Sequence, residues 1–179
     1  MAEVTRMWIS PDDVVLDATY GQGRMWRGAG REPDIRHDLA LDDVDLRALP
    51  EDDGSVDVVV LDPPYRPHFG GTSTRMHERY VLHHVKSIED VLSLYRQGIH
   101  EAARVLRPGG RLLVKCQDMT LSNRLHLVHV DILGMLDSDG LDLADMFVLL
   151  NRDRIPGRGL QRRARRAHSY LLIASIVRA

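Results

Sequence analysis

An α/β fold around a mostly parallel, doubly wound sheet is predicted by three features of this chain. Val58-Val59-Val60-Leu61 is an apolar run without polar alternation, the pattern of a short strand covered on both faces, and it stops abruptly at Asp62-Pro63-Pro64. Val14-Val15-Leu16-Asp17 repeats that arrangement near the start of the chain and leads into a glycine turn, Gly21-Gln22-Gly23. Further on, Ile88, Val91, Leu92, Tyr95, Ile99, Ala102, Ala103 and Leu106 recur at helical spacing, and another apolar run follows at Arg111–Cys116. Apolar strands alternating with helical patterns imply a parallel sheet with helices on its faces.

The composition bounds what can surround these elements. A chain of 179 residues, 44% hydrophobic and 28% charged, suits one globular domain over residues 1–179 with a full core. It holds no apolar run of membrane-spanning length, and its opening residues lack the apolar stretch of a secretion signal, so a cytoplasmic protein without a membrane role is expected. The lone Cys116 rules out an intrachain disulfide and lies in a strand pattern, where a packed thiol is expected. The net charge of -2 hides an asymmetry: residues 1–66 carry 15 acids against 7 bases, and the rest carries 11 against 17. The second half is therefore the part suited to a polyanion.

The first strand, ending at Asp17, is followed by Ala18-Thr19-Tyr20-Gly21-Gln22-Gly23 and a helix start at Arg24-Met25-Trp26. Glycines there let the backbone approach a ligand, and a helix start favours its anionic end. The third glycine of a dinucleotide fingerprint is missing. A second short strand is expected within Pro33–Asp38; Asp38 lies 21 positions after Asp17, the spacing at which an acid reaches a ribose hydroxyl, with Asp34 as its competitor. After the turn at Glu51–Ser55 comes the central strand. Pro63 and Pro64 cannot donate to a ladder, so they end it and leave Asp62 at the carboxyl edge, where open α/β sheets bind ligands.

Residues 66–86 show no period and directly follow Tyr65, which makes them a substrate-side recognition segment. His77, His83 and His84 within it match no common metal-ligand spacing, so no metal is expected. The helix over 88–106 ends at Arg107-Pro108-Gly109-Gly110, and Lys115, Gln117 and Asp118 fall at the carboxyl end of the next strand, where they would line a pocket. Leu121, Leu125, Val128, Ile132 and Leu136 predict another helix, stopped near Gly140. The strands Met146–Leu150 and Tyr170–Val177 have no helix between them, which allows an antiparallel pair. Residues 151–168 join them with seven arginines and one acid. If Met146–Leu150 runs parallel to the earlier strands, this loop emerges on the edge that holds Asp62. Arg158, Arg162, Arg163, Arg165 and Arg166 would then contact nucleic-acid phosphates.

In this setting Asp62-Pro63-Pro64-Tyr65 resembles the catalytic motif of the amino-group methyltransferases, class I S-adenosylmethionine-dependent enzymes that methylate an exocyclic nitrogen of a nucleobase. Asp17-Ala18-Thr19-Tyr20-Gly21-Gln22-Gly23 resembles their first cofactor motif, although the family more often places a small or Pro-Phe/Cys-type sequence before the first glycine, so Tyr20 departs from the pattern. Asp42–Pro50 resembles the segment in which an acid, here Asp45 beside Leu46, meets the adenine amino group of the cofactor. The resemblance implies a Rossmann-like, mostly parallel seven-stranded sheet with an antiparallel last strand. It implies S-adenosyl-L-methionine held by Asp17, Ala18, Thr19, Tyr20, Gly21, Gly23, Asp38, Asp45 and Leu46, and catalysis by Asp62, Pro63, Pro64 and Tyr65.

The motif's chemistry has a physical rationale. An aromatic amine is a poor nucleophile because its lone pair is delocalised into the ring. If Asp62 and the Pro63 carbonyl each accept one N–H, the nitrogen is drawn toward a tetrahedral geometry, and Tyr65 can stack on a base flipped out of its helix. Aspartate at the first motif position points, within the family, to N6 of adenine in DNA. Methylation of guanine N2 or adenine N6 in tRNA or rRNA is the alternative substrate class. A non-catalytic nucleic-acid-binding relative is the alternative from another class, but it would be expected to have lost Asp62 or the glycines, and both are present.

Overall fold

The computed structural model describes residues 1–64, 85–150 and 167–176. Its elements, in order, are α1 (Ala2–Trp8), β1 (Val15–Asp17), a 3₁₀ turn (Arg24–Trp26), β2 (Ile35–Arg36), β3 (Val56–Leu61), α2 (Ile88–Val105), β4 (Leu106–Cys116), a hairpin of β5 (Met119–Leu121) and β6 (Arg124–His126), α3 (Val128–Ser138), β7 (Leu141–Leu150) and β8 (His168–Ile176). Six strands form the main sheet in the order β2-β1-β3-β4-β8-β7. The pairs from β2 to β4 are parallel, and β8 runs antiparallel to both of its neighbours. Among the described residues no helix is long and apolar enough to cross a membrane.

All six residues of β3 are buried, as its unbroken apolar run predicts. Val59 and Leu61 face a core shared with Tyr95 and Ile99 of α2 and Ile132 of α3. Val58 and Val60 face a second core with Val4 of α1 and Trp26. The sheet is thus covered on both sides. Helix α2 begins with a capping box in which the Asp90 N–H donates to Ser87 Oγ at 3.1 Å and the Ser87 N–H donates to Asp90 Oδ2 at 2.9 Å. Gly98 allows α2 to approach the segment before β3, because a Cβ there would collide with the Leu46 side chain.

The structure departs from the sequence reading at four places. The sheet has six strands among the described residues rather than seven, because residues 38–49 fold as turns. Their backbone N–H groups are taken by nearby carboxylates: Asp38 and Val44 donate to Asp42 Oδ1, Ala40 to Asp38 Oδ1, and Arg47 to Asp45 Oδ1. Little is left to pair with a neighbouring strand. The helix expected from Arg24 is a single 3₁₀ turn. Leu121 and Leu125 lie in a hairpin rather than in α3, because Ser122 and Asn123 both adopt positive φ (47° and 60°), the geometry of a tight two-residue hairpin turn. Helix α1 carries no strong sequence signal and was not expected.

Candidate active site at the carboxyl edge of the sheet

Strands β1 and β3 pair in parallel with Asp17 beside Val60, so Asp17 and Asp62 emerge on one edge of the sheet. Two short contacts join the segments that follow them. The Ala18 N–H donates to the Val60 carbonyl at 3.1 Å, and the Asp62 N–H donates to Thr19 Oγ1 at 2.7 Å. Thr19 in turn donates its own N–H and hydroxyl to Asp17 Oδ1, at 2.9 and 3.2 Å. The other oxygen of Asp17 accepts the Trp26 indole N–H at 2.6 Å. Burial pushes the Asp17 carboxyl up to about 6, although the Trp26 and Thr19 hydrogen bonds pull the other way.

The glycine loop curls over this edge. Gly21 and Gly23 have φ of 54° and 63°, which favours glycine at both positions. At Gly21 a Cβ would stand 3.7 Å from Asp38 Oδ2, so backbone and carboxylate face each other across a narrow gap. At Gly23 it would lie 2.5 Å from the Tyr20 hydroxyl oxygen, because Tyr20 folds back over the loop. Tyr20 is pinned there by donating its hydroxyl to Glu32 at 2.8 Å and by the Arg36 guanidinium 5.0 Å from its ring centre. That is the structural account of the unusual residue before the first glycine.

Of the two acids proposed for a ribose, Asp34 serves the scaffold: its Oδ2 accepts the Val15 N–H at 2.9 Å and pairs with Arg31 at 2.8 Å. Asp38 is buried and keeps Oδ2 toward the glycine loop while Oδ1 accepts the Ala40 N–H. The Asp45 carboxylate is clasped by Arg47 Nε at 2.9 and 3.0 Å, which holds it below the usual carboxylate range, and a cofactor amine there would share it with that guanidinium. Leu46 is buried against α2.

Asp62 itself is partly enclosed. Its Oδ2 pairs with Lys115 Nζ at 2.6 Å, while its Oδ1 is buried and makes no hydrogen bond among the described residues. Burial raises its pKa, and the Lys115 charge and hydrogen bond oppose the rise. Pro63 is buried and Pro64 half-buried. Tyr65, the segment 66–84 with its histidines, and Arg158, Arg162, Arg163, Arg165 and Arg166 lie outside the described residues. Among those that are described, no group of three or more His, Cys, Asp or Glu could hold a metal ion.

Two features escaped the sequence. Trp26, read only as part of a helix start, is the hydrogen-bond partner of Asp17. At the end of β4, Asp118 accepts from His129 Nδ1 at 2.6 Å, and the His129 ring stacks on Tyr170 at 4.4 Å between centroids. Gln117 donates to the His168 carbonyl at 2.7 Å.

A S-adenosylmethionine-dependent methyltransferase from Methanosarcina mazei superposes over 98% of this chain and 98% of its own, with a TM-score of 0.58 at 12% identity. The chain has the class I methyltransferase fold. The same methyltransferase core is shared with the cytosine-N4-specific PvuII DNA methyltransferase, over 72% of this chain and 45% of that one, at a TM-score of 0.52 and 14% identity. Among curated proteins, the release factor glutamine methyltransferase of Mycobacterium tuberculosis is 34% identical over 82 residues, which are 46% of this chain and 27% of the relative. The counterpart from Mycolicibacterium smegmatis is 35% identical over 82 residues, 46% of this chain and 29% of that relative. The matched stretch thus spans under a third of either curated relative. No protein-family profile matches the chain.

Proposed function

We propose that this protein is an S-adenosyl-L-methionine-dependent methyltransferase acting on a planar NH₂ group, with N6 of adenine in DNA as its substrate. The observation that carries the reading is Asp62 Oδ1, a buried acceptor without a donor among the described residues, at the carboxyl edge of the central strand. A buried oxygen of this kind is costly to leave unpaired, and a substrate N–H would satisfy it. With the Pro63 carbonyl as second acceptor, Asp62 would hold both hydrogens of the amine and free its lone pair from the ring. The glycine loop and Asp38 would hold the cofactor, since the positive φ of Gly21 and Gly23 sets bare backbone beside the buried Asp38 carboxylate at the carboxyl edge of the sheet. When bound, S-adenosyl-L-methionine supplies a methyl group on a sulfonium. The substrate nitrogen would take that methyl, S-adenosylhomocysteine would leave, and Asp62 or water would accept the surplus proton.

A second reading has its own support. The side-chain amide of glutamine is also a planar NH₂ with a delocalised lone pair, and the curated relatives are glutamine methyltransferases. Asp62 would serve either substrate by the same geometry. The arginines of 151–168 favour the nucleic acid, because a protein substrate does not require a strip of that charge.

The test is incubation with methyl-labelled S-adenosyl-L-methionine and separate pools of DNA, RNA and release-factor protein, followed by identification of the methylated product. N6-methyladenine in DNA is expected. Label on glutamine establishes the second reading, label on RNA moves the substrate to tRNA or rRNA, and no transfer to any pool rejects the enzyme. Asp62→Ala should lose transfer while its affinity for S-adenosylhomocysteine changes by only a few-fold.

A further inference from the structure

The geometry points to Lys115 as the positioning residue of the catalytic carboxylate: it occupies one oxygen of Asp62 and leaves the other as the carboxylate's one acceptor for the substrate nitrogen, beside the Pro63 carbonyl. This deepens the proposed function and rests on it for the identity of the reaction. Strands β3 and β4 pair in parallel with Leu61 beside Val114, so the next residue of each strand, Asp62 and Lys115, leaves the sheet side by side. Val58 and Val60 on β3 share a core with Leu113 on β4, and strand alternation puts Asp62 and Lys115 on that same face. The pair measures 2.6 Å, and the two side chains are 23% and 22% exposed.

Both backbones are fixed where the pair forms. The Asp62 N–H is tied to Thr19 Oγ1, and the Lys115 carbonyl accepts the Tyr95 hydroxyl of α2 at 2.8 Å. A lysine in the otherwise apolar run Leu112-Leu113-Val114 to Cys116 is costly to desolvate unless its charge is used. The Asp62 charge helps to raise the pKa of Asp17 on β1, while the Lys115 cation on β4 opposes the rise that burial imposes on Asp62 itself. Cys116, the next residue of β4, has its thiol pushed up to about 12 by burial and remains neutral.

The consequence is chemical. A carboxylic acid would point a proton at an incoming N–H, whereas a carboxylate accepts it. Lys115 keeps Asp62 ionised in a partly dry site and also fixes its rotation, because turning the carboxylate would give up a charge-assisted hydrogen bond. In this role Lys115 acts through Asp62, the oxygen of which it holds at 2.6 Å.

The experiment compares wild type with Lys115→Met, which keeps the length of the side chain without the charge, and Lys115→Arg, which keeps the charge. Carboxyl-¹³C aspartate labelling, with the Asp62 signal assigned from Asp62→Asn, follows the titration of Asp62 by NMR without any turnover. Lys115→Met should shift that titration upward by at least about one pH unit, and Lys115→Arg should restore most of it. On the substrate that the wild type methylates, Lys115→Met should lower kcat by roughly 10²-fold, leave KM and S-adenosylhomocysteine affinity within about 3-fold, and move the acid limb of the pH profile upward. An unmoved Asp62 titration with an unmoved pH profile overturns the proposal. Should Lys115→Met fail to fold, Lys115→Gln takes its place with the same expectations. If wild type methylates nothing, the proposed function fails, while the NMR titration still decides whether Lys115 sets the charge of Asp62.

Discussion

Thr19 Oγ1 accepts the backbone N–H of Asp62 at 2.7 Å, across 43 residues of sequence. The hydroxyl has one hydrogen and gives it to Asp17, so the glycine loop and the strand end that carries Asp62 are held by one side chain. Thr19→Val removes that acceptor while keeping the shape and leaves the Asp62 N–H without it. We expect about 1–3 kcal/mol of lost stability and weaker S-adenosylhomocysteine binding, with Thr19→Ser close to wild type. Thermal unfolding and calorimetry on the two variants check this, and equal behaviour of Val and Ser would dissociate the hydroxyl from the site.

The fold of Tyr20 over Gly23 gives a second prediction. Gly23→Ala places a methyl 2.5 Å from the Tyr20 hydroxyl oxygen and also meets a φ of 63°. Stability should fall by about 1–3 kcal/mol. Adding Tyr20→Ala should recover the steric part alone, leaving about 1 kcal/mol of backbone cost. A double-mutant cycle by urea unfolding reads the difference, and strictly additive effects would show that the ring does not constrain the glycine.

Asp17 predicts a pH dependence whose sign follows from its raised pKa. The folded protein binds this proton more tightly than the unfolded chain, so the associated stability is fully present below the ordinary value of 3.8 and is lost as pH rises through about 6. The difference in unfolding free energy between wild type and Asp17→Asn should therefore change by about 3 kcal/mol between pH 3.5 and 7, wild type losing ground at the higher pH. Denaturant titrations across that range measure it. A difference that stays flat would mean that Asp17 titrates normally.

The arginines between β7 and β8 give a prediction that stands on the sequence. Replacing Arg162, Arg163, Arg165 and Arg166 by Ala should weaken binding to unrelated DNA sequences alike and lower the log–log salt slope by about 0.7–0.9 for each lost phosphate contact. Methylation in a single turnover at saturating DNA should fall far less. An unchanged salt slope would remove these residues from the interface.

The parts legible from sequence were those written as continuous patterns. The run at 58–61, its counterpart at 14–17 and the helical spacing over 88–106 all fold as their periodicity dictates, because both core faces select for unbroken apolar strands. The hairpin at 119–126 was hidden because Leu121 and Leu125 fit a helical spacing equally well, and the left-handed Ser122-Asn123 pair decides the matter only locally. The absent edge strand was hidden for a different reason. His37 lies between Asp42 at 2.7 Å and Glu51 at 2.9 Å, a bridge over 14 residues that no periodicity reports. The placement of Asp62 and the glycine loop at one edge of the sheet is legible in the sequence. Lys115 was placed near the pocket, but its partner depends on the register of two strands, and the hydrogen bond of Trp26 to Asp17 depends on how a short turn packs.

Strand β8 comes after β7 in the chain yet lies between β7 and β4 in the sheet. Until residues 168–176 have been made, β4 has no partner on that side and β7 has no strand to join it to the rest. The parallel half from β2 to β4 can assemble early, whereas the insertion of β8 must wait and closes contacts over long stretches of chain. Such wedge-like completion makes folding slow for a protein of this size and concentrates its cooperativity in nine residues. Their side chains Leu171, Leu172, Ile173 and Ala174 are buried from both faces, so damage there divides the sheet instead of fraying its edge.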